Sequence, residues 1–161
     1  MAARVGKTGA GAVAGARKSL RARSPAGYSG TPLAKKLGVK DRQRTWRFKM
    51  PASVAEEIAE GGVSPVLEKT ARAGVEMAHA FVTRKAELAR ELSRLRGLLA
   101  QDGTIWVSWP KKASGVTTDV TEDTVREIAL PLGLVDIKVC AVDATWSGLK
   151  LVIRRSERKA T

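Results

Sequence analysis

The residues with the clearest chemical potential lie in "WVSWPKKASG", Trp106 to Gly115. An apolar strand breaks at Pro110 and runs into Lys111 and Lys112, followed by Ser114 and Gly115. Two ammonium groups, a hydroxyl and an unhindered backbone N–H are the groups that hold a phosphate or a carboxylate. Solvated lysines in a loop are the plain alternative. Trp109 and Trp146 can stack on a flat ligand or pack in the core. Asp143 can orient a lysine or meet a ribose hydroxyl, although aspartate is also a favoured turn residue and turn chemistry is the simpler assignment. Ser147 and Lys150 are weaker candidates of the same kind.

Other reactive types form no set. His79 alternates with Val75, Met77 and Phe81, which points to a hydrogen-bonded core histidine. Cys140 reads as a buried, inert thiol. No Ser-His-Asp set and no spaced carboxylate pair is present. One histidine and one cysteine do not make a structural zinc site, and one cysteine allows no internal disulfide. This usage fits a cytosolic compartment. "GKT" at Gly6 to Thr8 lacks the upstream glycine and strand of a phosphate loop. No apolar run reaches the roughly 20 residues of a membrane span.

The 161 residues suffice for one core. The net charge of +13 is unevenly spread. Residues 1–49 hold 13 Lys or Arg and one acid; residues 50–161 hold 16 basic and 15 acidic residues. Residues 1–27 contain Arg4, Lys7, Arg17, Lys18, Arg21 and Arg23, with no acid and no aromatic residue. Such a segment is expected to be disordered. It is either a solvated tail or a weak, non-specific arm for nucleic acid, led by Arg17, Lys18, Arg21 and Arg23. Arg-rich, acid-poor composition also suits a transit peptide. A single domain is expected over 28–155, with 156–161 frayed.

The elements that must position the loop follow from periodicity. Thr31 caps a short helix that has Pro32 at its first position and ends at Gly38. Trp46, Phe48 and Met50 alternate with Arg47 and Lys49 in a strand closed by Pro51. Ser53 caps a second helix, which Gly61 and Gly62 stop. "VSPV" suits a very short strand. "GVEMAHAFVT" is apolar on both faces, as in a central strand covered on both sides. Thr83 opens a helix with Leu88, Leu92, Leu95 and Leu99 on one stripe, ended by "QDG". "TIWVSW" is the next strand. Asp119 with Glu122, or Thr121 alone, caps a helix carrying Val125, Ile128, Ala129 and Leu132. "LVDIKVCAV" and "TWSGLKLVIR" form a closing antiparallel hairpin. Strand, helix, strand, helix, strand gives a three-layer, Rossmann-like α/β fold, mostly parallel, ending in that hairpin. Ligands of such sheets sit at the carboxyl ends of the strands, where "PKKASG", "DATWSG" and "MPAS" should meet.

Two resemblances bear on function. "LRGLLAQDGTIWVSWPKK" with the helix and hairpin after it resembles the second half of class I methyltransferases, over roughly Val75 to Arg154. "YSGTPLAKKLG", "IWVSWPKKASG", "LPLGLVDIKVCAVD" and "TWSGLKLVIRR", covering Tyr28 to Arg155, resemble an uncharacterised bacterial family, domain of unknown function 3052. That second resemblance implies a shared fold and supplies no activity. S-adenosylmethionine enzymes of the first class have a glycine-rich turn after strand one, because a Cβ there blocks the cofactor. Here that turn, Lys49 to Glu57, has no glycine, and "VSPV" runs into Leu67 without an acid to bind a ribose. S-adenosylmethionine is thus disfavoured in its usual place. The expectation is a non-catalytic Rossmann-like domain binding a small anion or a protein partner through Lys111–Gly115 and Asp143–Ser147. The alternatives are a divergent methyltransferase-like enzyme and a nucleic-acid-associated protein acting through the tail. "VCAV" and "KLVI" leave a homodimer open.

Overall fold

The computed structural model describes residues 30–159. Expectations for residues 1–27, including Arg17, Lys18, Arg21 and Arg23, lie outside the described residues. The described chain runs α1 (Leu33–Leu37), β1 (Arg44–Phe48), α2 (Ala52–Ala59), β2 (Val66–Glu68), β3 (Val75–Phe81), α3 (Lys85–Leu98), β4 (Leu99–Pro110), α4 (Glu122–Ala129), β5 (Leu134–Ala141) and β6 (Trp146–Ile153). The six strands form one sheet in the order β2-β1-β3-β4-β6-β5. β2, β1, β3 and β4 are parallel. β6 inserts antiparallel between β4 and β5. The three-layer Rossmann-like fold with a closing hairpin is therefore what the periodicity predicts.

Side-chain alternation divides the core in two. Ala78, Ala80, Ile105, Val107, Trp109, Leu149 and Leu151 pack against the leucine stripe of α3 and against Val125 and Ala129 of α4. Met77, Phe81 and Trp106 pack on the opposite side against α1 and α2, through Leu33, Leu37, Val54 and Ile58. β3 is central and buried on both faces, as its two apolar faces require. Trp106 is fully buried, and its Nε1 donates to Leu37 O at 2.8 Å, which ties α1 to the sheet. Gly148 lies under that indole: a Cβ there would meet Trp106 ring carbons at 3.3 Å and Val142 Cγ2 at 3.0 Å.

Several boundaries differ from the sequence reading, each for a local reason. Ser53 lies inside α2, and Pro51 takes the cap position without a side-chain bond. Pro32 likewise precedes α1, while Gly38 ends it in the left-handed conformation, φ 78°. α3 starts at Lys85, two residues after Thr83. "QDG" belongs to β4: its pairing to β3 jumps from Val75↔Leu99 to Met77↔Thr104, so the extra residues bulge out of the ladder. Thr121, not Asp119, caps α4, accepting from Thr124 N at 3.2 Å. "VSPV" contributes only Val66 to β2. The segment expected to fray carries a 3-10 turn, Arg155–Glu157. It is fastened by Arg158 Nε donating to Ile153 O at 2.9 Å and by Lys159 N donating to Gln101 Oε1 at 2.7 Å. "KLVI" lies inside the sheet, whereas β5 is an edge strand with Ile137 and Val139 exposed.

Candidate functional site

The loops at the carboxyl end of the sheet converge as the topology demands. Lys111 N donates to Thr145 O at 2.8 Å and joins the loop after β4 to the hairpin turn. Met50, from the turn after β1, and Trp146 pack against the apolar cluster that contains Phe81. Trp146 meets the Phe81 ring edge-on, with centroids 5.0 Å apart. "PKKASG" and "DATWSG" are thus bonded to each other, while "MPAS" reaches the apolar cluster beside them through Met50.

Their polar groups, however, are largely engaged with one another. Ser114 Oγ donates to Lys111 O at 2.6 Å and accepts from Val116 N at 3.2 Å, closing its own turn. Gly115 stands at φ 77° after the 3-10 turn Lys112–Ser114. Asp143 Oδ1 accepts from Thr145 N at 2.9 Å and from Trp146 N at 2.8 Å, the turn chemistry favoured from sequence. Lys112 is exposed and Lys111 half-buried. Trp109 and Trp146 fall in the two separate cores on opposite faces of the sheet, so they cannot flank one ligand together. Ser147 pairs in register with Trp109, away from the face that carries Trp146.

A cavity of about 300 Å³ opens beside these loops, lined by Thr83, Arg84, Thr117, Thr118 and Asp119. Sequence reasoning missed it, having read Asp119 only as a cap. Thr118 Oγ1 donates to Thr83 O at 2.7 Å, and Asp119 N donates to the same oxygen at 3.2 Å. Asp119 Oδ1 accepts from Lys85 N at 2.7 Å, so its carboxylate caps α3 rather than α4. The guanidinium of Arg84 makes no ion pair among the described residues. The polar run "TTD" was the available signal.

The turn after β1 tests the cofactor of the methyltransferase fold. Lys49 adopts φ 55°, a left-handed conformation that glycine takes without cost. Its side chain spans to α3, with Nζ 2.5 Å from Glu87 Oε2. An acid does end β2, contrary to the sequence reading, but Glu68 is bound by Arg44 Nε at 2.6 Å. That guanidinium holds the Glu68 carboxyl below its ordinary range. The turn thus combines a left-handed residue with two ion pairs, Lys49–Glu87 and Arg44–Glu68, that engage its side chains.

His79 and Ser108 face each other in the sheet centre, Nε2 to Oγ 2.8 Å, both fully buried. Burial first, and then the charge of Arg47, lower the histidine pKa to about 3. It is the hydrogen-bonded core histidine expected. Cys140 is half-buried rather than buried, and desolvation raises its pKa. Among the described residues no cluster of three His, Cys, Asp or Glu can hold a metal ion, and no helix is long and apolar enough to cross a membrane.

No family model and no curated protein matches the chain, so the resemblance to domain of unknown function 3052 gains no support. Solved structures do match. A ribosomal protein L11 methylase from Lactobacillus delbrueckii subsp. bulgaricus is 12% identical with TM-score 0.51, covering 76% of each chain. A magnesium protoporphyrin IX methyltransferase from Synechocystis with bound S-adenosylmethionine is 11% identical with TM-score 0.49, covering 75% of this chain and 74% of that one. The fibrillarin of Aeropyrum pernix with natively bound S-adenosylmethionine is 14% identical with TM-score 0.47, over 74% and 73%. The likeness to the L11 methylase establishes a shared fold: the described residues have a Rossmann-like, methyltransferase-type architecture.

Proposed function

We propose that this chain is a divergent methyltransferase-like protein that binds S-adenosylmethionine or its demethylated product at the carboxyl end of its sheet. The supporting observation is the sheet order, with antiparallel β6 between β4 and β5, in a fold shared with a methylase. The ligand's amino-acid and ribose ends are polar, and the cleft beside Thr83 offers Arg84 as a free cation and Thr117 as a hydroxyl. α2 begins at the same end, with Pro51 at its cap position and no side-chain cap bond. When bound, S-adenosylmethionine supplies an activated methyl group. This chain's part is to seat it in that cleft.

The second reading is a non-catalytic domain that binds a small anion or a protein through Lys111–Gly115 and Asp143–Ser147. The glycine-free turn and the Lys49–Glu87 pair favour it. Calorimetric titration of the full chain separates the two. Binding of S-adenosylmethionine that weakens about tenfold in Arg84→Ala supports the first reading. No heat at millimolar ligand overturns it and leaves the second.

A further inference from the structure

The two edges of the sheet are finished differently. β2 exposes Val66 and Leu67 but is three residues long, with Pro65 before it and Lys69 after it, and such an edge deters pairing with another strand. β5 is eight residues long and pairs only with β6 among the described residues. Its Ile137 and Val139 are exposed. Val139 lies opposite Leu149, which packs in the core under α3 and α4, so Val139 stands on that same face. The strand's one cation does not guard its edge: Lys138 Nζ donates to Lys36 O at 3.1 Å and is drawn back over its own molecule. Its one acid, Asp136, is held by Arg126 Nε at 2.9 Å.

The backbone decides which groups face outward. The register shift lies between Asp136 and Lys138, so the strand is regular from Lys138 to Ala141. Val142 N donates to Trp146 O at 2.9 Å, which makes that pair a hydrogen-bonded one. Counting back by two, Cys140 and Lys138 also turn their N–H and C=O toward β6, and Ala141 and Val139 turn theirs to the open edge. A second β5 laid antiparallel about a two-fold axis meets those groups in the register centred on Val139. Val139 then faces Val139 of the second copy as a hydrogen-bonded pair, Ala141 faces Ile137, and Lys138 faces Cys140. Centring on Lys138 instead sets two like charges directly opposite, and centring on Cys140 leaves Ile137 opposite Asp143.

We propose that β5 is a dimerisation edge, through which two copies of this chain pair over Ile137–Ala141 and join their sheets into one. The occupant is a second copy because the edge complements itself. Its outward backbone groups repeat symmetrically about Val139, its exposed side chains there are apolar, and its one cation meets a thiol that burial keeps protonated. The two-fold axis also brings Ile137 and Val139 of both copies into a single apolar strip. Main-chain bonds and that strip hold the pair together. The interface is separate from the carboxyl-end cleft and stands or falls independently of any ligand there.

The test is sedimentation equilibrium of the full chain, from micromolar to near-millimolar protein at physiological ionic strength. The expected result is a concentration-dependent dimer. Val139→Lys sets two ammonium groups opposite each other and removes two apolar contacts, so the dimer dissociation constant should rise about a hundredfold. Its Tm at low concentration should match wild type, because Val139 is exposed in the monomer. Disulfide cross-linking in a Cys140→Ser background reads the register. Val139→Cys should link two copies under mild oxidation, since opposed Cα atoms in such a pair lie about 5.5 Å apart. Ile137→Cys should not, because its two copies lie four residues apart along the paired strands, about 13 Å. A monomer at every concentration, a dimer that Val139→Lys leaves intact, or a disulfide from Ile137→Cys in place of Val139→Cys overturns the proposal.

Discussion

The two ends of the sheet differ in what their hydroxyls and cations do. At the carboxyl end, Ser114, Thr118, Asp119 and Asp143 all bond to backbone and fasten loops. At the amino end, Lys40, Arg42 and Lys150 have no ionic partner among the described residues, and Thr104 Oγ1 is buried unbonded. The richer-looking sequence, "PKKASG", is structurally the more committed. Residue type alone does not find a site; what matters is which groups remain uncommitted after folding.

Substitutions can break or sharpen that contrast. The largest effect is expected at Trp106, which holds α1 to the sheet. Trp106→Ala should lose about 3–5 kcal/mol in urea unfolding. Trp106→Phe should lose roughly 1–3 kcal/mol, because Leu37 O is left buried without its donor.

His79 gives the next largest effect, and it depends on pH. Its folded pKa of about 3 lies below the unfolded value near 6.5. Between those values the unfolded chain binds a proton that the folded chain refuses. Stability is therefore complete above about pH 6.5 and falls as pH drops toward 3. Between pH 7 and pH 5 the loss should be about 2 kcal/mol by denaturant titration. Replacement by glutamine, which cannot titrate, should flatten that slope; an unchanged slope would assign it to other groups.

Opposite signs are expected at the two ends. Asp143→Ala removes the acceptor for two turn N–H groups and should cost about 1–2 kcal/mol. Asp119→Ala, which uncaps α3, should cost about 1 kcal/mol. Thr104→Val removes an unmet hydroxyl and should instead gain up to about 1 kcal/mol. A loss there would mean that the hydroxyl is bonded in solution.

The smallest effect concerns Lys49. Lys49→Gly relieves the left-handed backbone and removes the link to Glu87, and the net gain should not exceed about 1 kcal/mol. Its sharper readout is ligand affinity. If the β1 turn obstructs S-adenosylmethionine, this variant should bind it more tightly than wild type in calorimetry.

The sequence by itself determined the layers. Leucines at helical spacing in α3 and two apolar faces in β3 leave one way to bury both; Leu88, Leu92 and Leu95 of α3 are in the core, as is Leu99, the first residue of β4. It also determined that the loops after β1, β4 and β5 share one end, because parallel strands point the same way. Hydrogen-bond commitment was not legible. Asp119 suits a cap of either helix, and only the return of the chain past Lys85 decides for α3. Trp109 and Trp146 look like partners until the pleat and register send them to opposite faces. Lys150 and Thr104 are unremarkable in their strands, and only the antiparallel insertion of β6 beside β4 brings them to one cavity with Lys40 and Arg42. Periodicity is local and survives in the chain; partnership between groups a hundred residues apart is fixed only when the sheet closes around them.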